Sequence, residues 1–353
     1  MKFLNLLTTV CLLLLNFPNA FGQNPVQNAN AYLNGLVNQG KFSGAVLVAK
    51  NGKVLLCNGY GYANIAEKVR NDPNYEFRIG SITKPFVSIL IMQLIEQNKI
   101  KLDGQISSFF PGIDSAKRAI TIKQLLQQTS GIEDYTEDTV HVCPAFSKHP
   151  IDPTKFVDCI NQLKLEFKPG SKFSYSNTNY YLLGIILEKL TGQPFDQVLE
   201  KNILLPLKMT HTGYKNILKN RFAHGYAMKG NQLTPTTTAD IGIAYSAGGM
   251  FSTVRDLYLF DQALRTDKLL KRSTLKEVFA ENKSVDPHYY GMGWYVDPNG
   301  NYRTFHEGGI DGFSSCLDRY LNNGLCIIAL SNFEFAECRA DVTEPLTKLF
   351  IAK

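Results

Sequence analysis

Residues 43–57 read Ser-Gly-Ala-Val-Leu-Val-Ala-Lys-Asn-Gly-Lys-Val-Leu-Leu-Cys. Two apolar runs, Ser43 to Ala49 and Val54 to Cys57, flank Asn51-Gly52. Asn-Gly between such runs is the strongest short hairpin signal, because both residues accept the left-handed backbone of a tight turn. The same pattern returns near the other end, where Phe313 to Tyr320 and Leu325 to Leu330 flank Asn322-Asn323-Gly324. Strands at the two ends of a chain commonly meet in one antiparallel sheet. Between them, Pro85 to Gln97, Ile122 to Gln128, Tyr180 to Leu190 and Ser252 to Leu264 have helical spacing or composition. Ser252-Thr253 with Asp256 adds a capping signal to the last. The expectation is an α+β fold, an antiparallel sheet built from both chain ends and flanked by helices, with a helical part inserted. The sheet part falls at approximately 23–80 and 285–353, and the helical part at approximately 81–284.

Size and composition narrow the function. At roughly 150 residues per domain, 353 residues is about two domains' worth of chain. With 44% hydrophobic and 19% charged residues, it can bury a large core. The formal charge of +6 is mild and its basic residues are scattered, so the patch or stripe that a nucleic-acid binder needs is missing.

Met1 to Gly22 has one cation, Lys2, then an apolar run from Phe3 to Leu15, then the small residues Ala20 and Gly22. This is the three-part pattern of a secretory signal peptide, with cleavage expected near Gly22-Gln23. The run is shorter than the roughly 20 residues of a spanning helix. The expected location is therefore secreted or periplasmic, with no membrane span in the mature chain. Export permits disulfides. Of Cys57, Cys143, Cys159, Cys316, Cys326 and Cys338, the pair Cys143–Cys159 brackets a proline-bearing segment, and Cys316 and Cys326 could face each other across a hairpin. Free buried thiols are the other reading.

Secreted hydrolases most often use a serine or a metal. No His-Glu-x-x-His and no Cys-x-x-Cys occurs, so neither a metal nor another cofactor is expected. Ala244-Tyr245-Ser246-Ala247-Gly248 lacks the first glycine of a nucleophile elbow. A lysine-activated serine remains. Ser-x-x-Lys occurs at Ser81-Ile82-Thr83-Lys84 and at Ser273-Thr274-Leu275-Lys276. Ser81 follows Gly80 and opens an apolar helix with Pro85 in its first turn. Lys84 falls one turn along on the same face, where apolar neighbours favour its neutral form. Ser273 has charged neighbours and reads as a surface position. Tyr-x-Asn, the partner such a serine needs for proton transfer, occurs at Tyr32, Tyr62, Tyr175, Tyr214 and Tyr320. Only Tyr175-Ser176-Asn177 stands on a loop, between the Pro169-Gly170 turn and a helix. A third element, His306-Glu307-Gly308-Gly309, precedes the terminal hairpin, and its glycines allow close approach of backbone to a ligand.

Taken in order, Phe77-Arg78-Ile79-Gly80-Ser81-Ile82-Thr83-Lys84, Thr129-Ser130-Gly131, Tyr175-Ser176-Asn177, Leu205-Pro206-Leu207-Lys208-Met209, Gly248-Gly249-Met250, Tyr290-Gly291-Met292-Gly293-Trp294 and the His306 segment resemble the serine β-lactamase and penicillin-binding-protein superfamily, on its class C β-lactamase and D,D-peptidase branch. The resemblance implies an acyl-enzyme hydrolase with Ser81 as nucleophile, Lys84 as its base and Tyr175 as proton relay. It implies that Asn177 holds Lys84 and the substrate amide, with His306, Gly308 and Gly309 as further binding residues. The oxyanion hole would use the N–H groups of Ser81 and Gly309. The departure is His306-Glu307-Gly308 where class C enzymes carry Lys-Thr-Gly, which weakens a site for the β-lactam carboxylate, with Glu307 adding a negative charge nearby. That points to a peptidase or esterase acting on a short D-amino-acid peptide, an amide or an ester, with a β-lactamase, or a penicillin-sensor-like domain acylated without turnover, as alternatives. The segments Glu133 to Lys168 and Ser284 to His288 are expected to shape the pocket.

Overall fold

Asn51 and Gly52 adopt φ of 52° and 78°, the two left-handed residues that a type I′ turn requires. Strand β1 (Gly44–Lys50) therefore returns directly as β2 (Lys53–Tyr60). The computed structural model describes residues 24–136, 155–214, 221–236, 241–280, 289–299 and 302–351. The expected signal segment 1–22, Cys143 and the segment 284–288 lie outside them.

The far end of the chain supplies β3 (Tyr295–Asp297), β4 (Arg303–Ile310), β5 (Phe313–Tyr320) and β6 (Leu325–Ser331). β6 pairs antiparallel with β1, Val46 opposite Ala329. The sheet order is β2-β1-β6-β5-β4-β3, so strands from both ends close one sheet as the sequence pattern predicts. β1 is apolar at successive positions because both faces are covered. Ala45, Leu47 and Ala49 face one core, and Val46 and Val48 the other.

The helices that matter to the site and the sheet are α1 (Pro25–Asn38), α2 (Thr83–Glu96), α3 (Ile122–Leu126), α4 (Asn177–Thr191), α5 (Ile241–Gly248), α6 (Val254–Ala263) and α7 (Glu344–Ile351). α1 and α7, absent from the sequence reading, cover one sheet face with Ala29, Leu33, Leu36, Leu346 and Phe350. α2 runs through the larger core, and Thr83 to Met92 are buried without a break. A helix apolar on all sides belongs inside, and each buried Ile, Leu or Phe there contributes about 1.5–3 kcal/mol. α6 begins as its capping signal indicates, with Thr253 Oγ1 accepting from the Asp256 N–H at 3.1 Å.

The cysteines correct one expectation. Cys57, Cys316, Cys326 and Cys338 are free thiols, whereas Cys159 is disulfide-bonded. Cys316 stands opposite Ala329 and Cys326 opposite Arg319. The two cysteines are an odd number of places out of register, so they project to opposite sheet faces and cannot bridge. Among the described residues no helix is long and apolar enough to cross a membrane.

Candidate active site

Gly80 to Ile82 form a single 3₁₀ turn that leads into α2. Gly80 has φ +49°, and a Cβ on it would lie 2.8 Å from both the N and the O of Gly309. Only glycine allows this approach, and it brings the turn carrying Ser81 against β4.

Lys84 has no exposed surface. Its Nζ lies 2.9 Å from Ser81 Oγ, 2.8 Å from Asn177 Oδ1 and 2.8 Å from the Ala247 carbonyl oxygen. The last two atoms can only accept. The orientation of the Asn177 amide is fixed by its Nδ2, which donates to the Asp134 carboxylate at 2.8 Å. A neutral amine has two N–H bonds and one lone pair. The N–H bonds go to Asn177 and Ala247, which leaves the lone pair facing the serine hydroxyl. Burial lowers the Lys84 pKa to about 7, against a smaller upward pull from the Asp134 charge. Near neutral pH the amine can therefore take a proton.

Tyr175 stands on the loop before α4, as expected, and Lys84 Nζ lies 4.7 Å from its ring centroid. Desolvation holds its phenol well above the ordinary range, while its interaction with the Ser81 hydroxyl works the other way. The phenol therefore stays protonated and can hand on one proton while receiving another.

Asn177, the first residue of α4, is held from behind. Its backbone N–H and Nδ2 both donate to Asp134 Oδ2, at 3.1 and 2.8 Å, and Nδ2 also donates to Thr136 Oγ1 at 3.3 Å. The Ser176 side chain makes no cap, so Asp134 takes that place at the positive end of the helix. Ser130 and Gln128 brace the same turn through Asn179.

His306 is buried on the inner face of β4, 6.3 Å from the Tyr175 ring, centroid to centroid. Its Nδ1 lies 2.6 Å from the Glu307 carbonyl oxygen and its Nε2 3.1 Å from the Tyr290 hydroxyl. The carbonyl can only accept, so Nδ1 carries the hydrogen and Nε2 receives the Tyr290 proton. Burial and the Lys84 charge lower the His306 pKa to about 3. Both ring nitrogens are thus used within the protein, and the ring packs beside Tyr175. Glu307 departs from the sequence reading. Alternation along β4 turns it to the other face, where it pairs with Arg339, so its charge is directed away from Ser81.

The Gly308 backbone packs on Ile79, where a Cβ would lie 2.0 Å from the carbonyl oxygen. Ile310 and Phe313 close the β4–β5 hairpin opposite one another. Alternation from that pair leaves the Gly309 N–H on the strand edge away from β5. The Ser81 N–H sits in an opening helical turn, where N–H groups lack intrahelical acceptors. Both residues line one cleft of about 340 Å³, together with Tyr135, Thr136, Ala247 and Asp311. The site can thus deprotonate a serine beside two candidate N–H donors and a protonated phenol.

The structure brings Ser81, Lys84, Tyr175, Asn177, His306, Gly308 and Gly309 to one place. Ser273 is exposed on a separate helix (Arg272–Val278), and Tyr32, Tyr62 and Tyr320 lie in α1, a short strand and β5. Of the two segments expected to shape the pocket, Tyr135 and Thr136 line the cleft, residues 155–168 do not, and 137–154 and 284–288 lie outside the described residues. Sequence reasoning missed Asp134, the Ala247 carbonyl and Tyr290. An acid shortly after Thr129-Ser130-Gly131 was visible, but nothing local ties it to Asn177.

Comparison with known proteins places the sequence and the fold. The sequence profile of the Beta-lactamase family matches residues 29–347. The putative penicillin-binding protein PbpX of Bacillus subtilis (strain 168) is 31% identical over 291 residues, which is 82% of this chain and 70% of that protein. Protein flp of Staphylococcus aureus (strain COL) is 33% identical over 318 residues, 84% of this chain, and the chain spans only 61% of its length. Among solved structures, a D-stereospecific amidohydrolase from Streptomyces sp. superposes with a TM-score of 0.76 at 27% identity, covering 93% of this chain and 98% of that one. The D-amino acid amidase of Ochrobactrum anthropi SV3 shares the fold, with a TM-score of 0.81 at 24% identity, covering 93% and 99%.

Proposed function

The chain belongs to the Beta-lactamase family, and on that premise we propose that it is an exported serine hydrolase working through an acyl-enzyme on Ser81. Neutral Lys84 takes the Oγ proton as Oγ bonds to the substrate carbonyl carbon. The oxygen becomes negative between the N–H groups of Ser81 and Gly309, each such donor being worth about 3 kcal/mol. Lys84 returns the proton through the Tyr175 hydroxyl to the leaving nitrogen or oxygen as that bond breaks. Water then attacks the acyl ester, its proton runs back along the same relay to Oγ, and the acid is released.

The observation that carries this reading is the Lys84 amine, 2.9 Å from Ser81 Oγ with both other partners acceptors only. The substrate class is a D-amino-acid-type peptide, amide or ester. Its support is the likeness to a D-stereospecific amidohydrolase and the absence of a lysine at the third motif. Export rests on the leader-like pattern of residues 1–22 and on relatives that include a putative penicillin-binding protein.

A fluorophosphonate probe followed by peptide mass spectrometry tests the assignment. Labelling is expected at Ser81 and lost in Ser81→Ala; labelling at another serine overturns it. Release of an acyl group from Ser81 on adding hydroxylamine, together with turnover of an ester, is expected. A stably acylated protein without turnover would favour a sensor.

A further inference from the structure

We propose that Asp311 selects substrates whose acyl part carries a positive charge, such as a free ammonium group. The proposal rests on the acyl-enzyme reading and adds the charge class of the group transferred. The direction of the bound substrate follows from the strand. Tyr175, which serves the leaving group, packs beside His306. Gly309 lies three residues further along β4, about 10 Å at strand rise, and Asp311 follows in the turn beyond it. The leaving group therefore points toward His306 and the acyl part toward Asp311.

The cleft bears out that division, since Asp311, Ile310, Thr136 and Ile243 line it while Tyr175 and His306 do not. Asp311 is exposed and has no ion pair among the described residues. Among the described residues lining the cleft it is the one charged side chain. Lys84 is sealed behind Ser81 by its three contacts, and His306 has both nitrogens engaged. A neighbouring cavity of about 150 Å³, which Ile310 and Asp311 also line, holds the exposed His224 and the buried Arg78, which donates to the Gly249 carbonyl; neither His224 nor Arg78 lines the cleft. An acyl group entering the cleft therefore meets a carboxylate and no exposed cation among the described residues. A cation there is attracted, and a carboxylate is repelled.

Three nitrophenyl esters of equal acyl length, ending in a trimethylammonium, a tert-butyl or a carboxylate group, test this. The native protein is expected to favour the cationic ester over the anionic one by about tenfold in kcat/KM. That preference should shrink in molar salt, as an exposed charge effect must. Asp311→Asn should lose about fivefold on the cationic ester, gain on the anionic one and leave the tert-butyl ester unchanged, and Asp311→Lys should reverse the order. Equal rates on all three esters with a probe-labelled Ser81, or a charge preference unchanged in Asp311→Asn, overturn the inference and leave the acyl-enzyme reading standing. No turnover of any ester and no labelling at Ser81 overturn both.

Discussion

The Asp134 carboxylate receives two hydrogen bonds from Asn177, one from its backbone N–H at 3.1 Å and one from Nδ2 at 2.8 Å. This pair turns the Asn177 oxygen toward Lys84 and places a negative charge where it acts on the amine. Asp134 raises the Lys84 pKa while burial lowers it. In Asp134→Asn the hydrogen-bond acceptor remains and the charge goes. The Lys84 pKa should then fall below about 7, and the acid limb of kcat/KM should move to lower pH. A profile measured from pH 5 to 9 that stays in place or moves upward would remove this coupling.

For the native protein, kcat/KM should rise as pH passes through about 7 and Lys84 loses its proton. His306, already neutral there with a pKa lowered to about 3, should add no inflection between pH 5 and 8. Lys84→Arg keeps its charge and should lose at least about a hundredfold. Stability follows the same proton. An unfolded lysine titrates near 10.5 and the folded one near 7. Between those values the unfolded chain binds the extra proton, so folding is favoured as pH rises, and the penalty is fully present below about pH 7. Urea unfolding from pH 7 to 9 should show the native protein gaining stability relative to Lys84→Met.

Removing the nucleophile or the relay should separate chemistry from folding. Ser81→Ala should lose at least about a thousandfold in rate, leaving what binding and the oxyanion donors supply. Tyr175→Phe should lose about a hundredfold or more in kcat, with a melting temperature within a few degrees of native. Near-normal turnover by Tyr175→Phe would eliminate the relay.

Two adjacent glycines should respond differently to the same methyl group. A Cβ at Gly308 would lie 2.0 Å from the Ile79 carbonyl oxygen, whereas one at Gly309 meets nothing within 4 Å. Gly308→Ala should cost about 1–3 kcal/mol of stability and displace β4 from the serine. Gly309→Ala should fold normally and keep the Gly309 N–H in place. Calorimetry of both variants checks this; equal melting temperatures would contradict the close packing of β4 on Ile79.

The hairpins around Asn51-Gly52 and Asn322-Asn323-Gly324, the helix after Ser81 and the capped start of α6 were all legible in the residues. Turn chemistry, apolar spacing and caps act over a few neighbouring positions, so the sequence by itself determined these elements. It also held the Ser81–Lys84 pair, which needs only one helical turn. The tertiary structure alone decided what surrounds them. Ala247 reaches Lys84 across 163 positions and Asp134 reaches Asn177 across 43, and no local pattern encodes either contact. It also decided that His306 is buried beside Tyr175 and that Glu307 turns away to Arg339. The reason is physical: the proton affinity of Lys84 and the direction of a strand side chain depend on burial and register, which exist only once the sheet and the helical core have packed together.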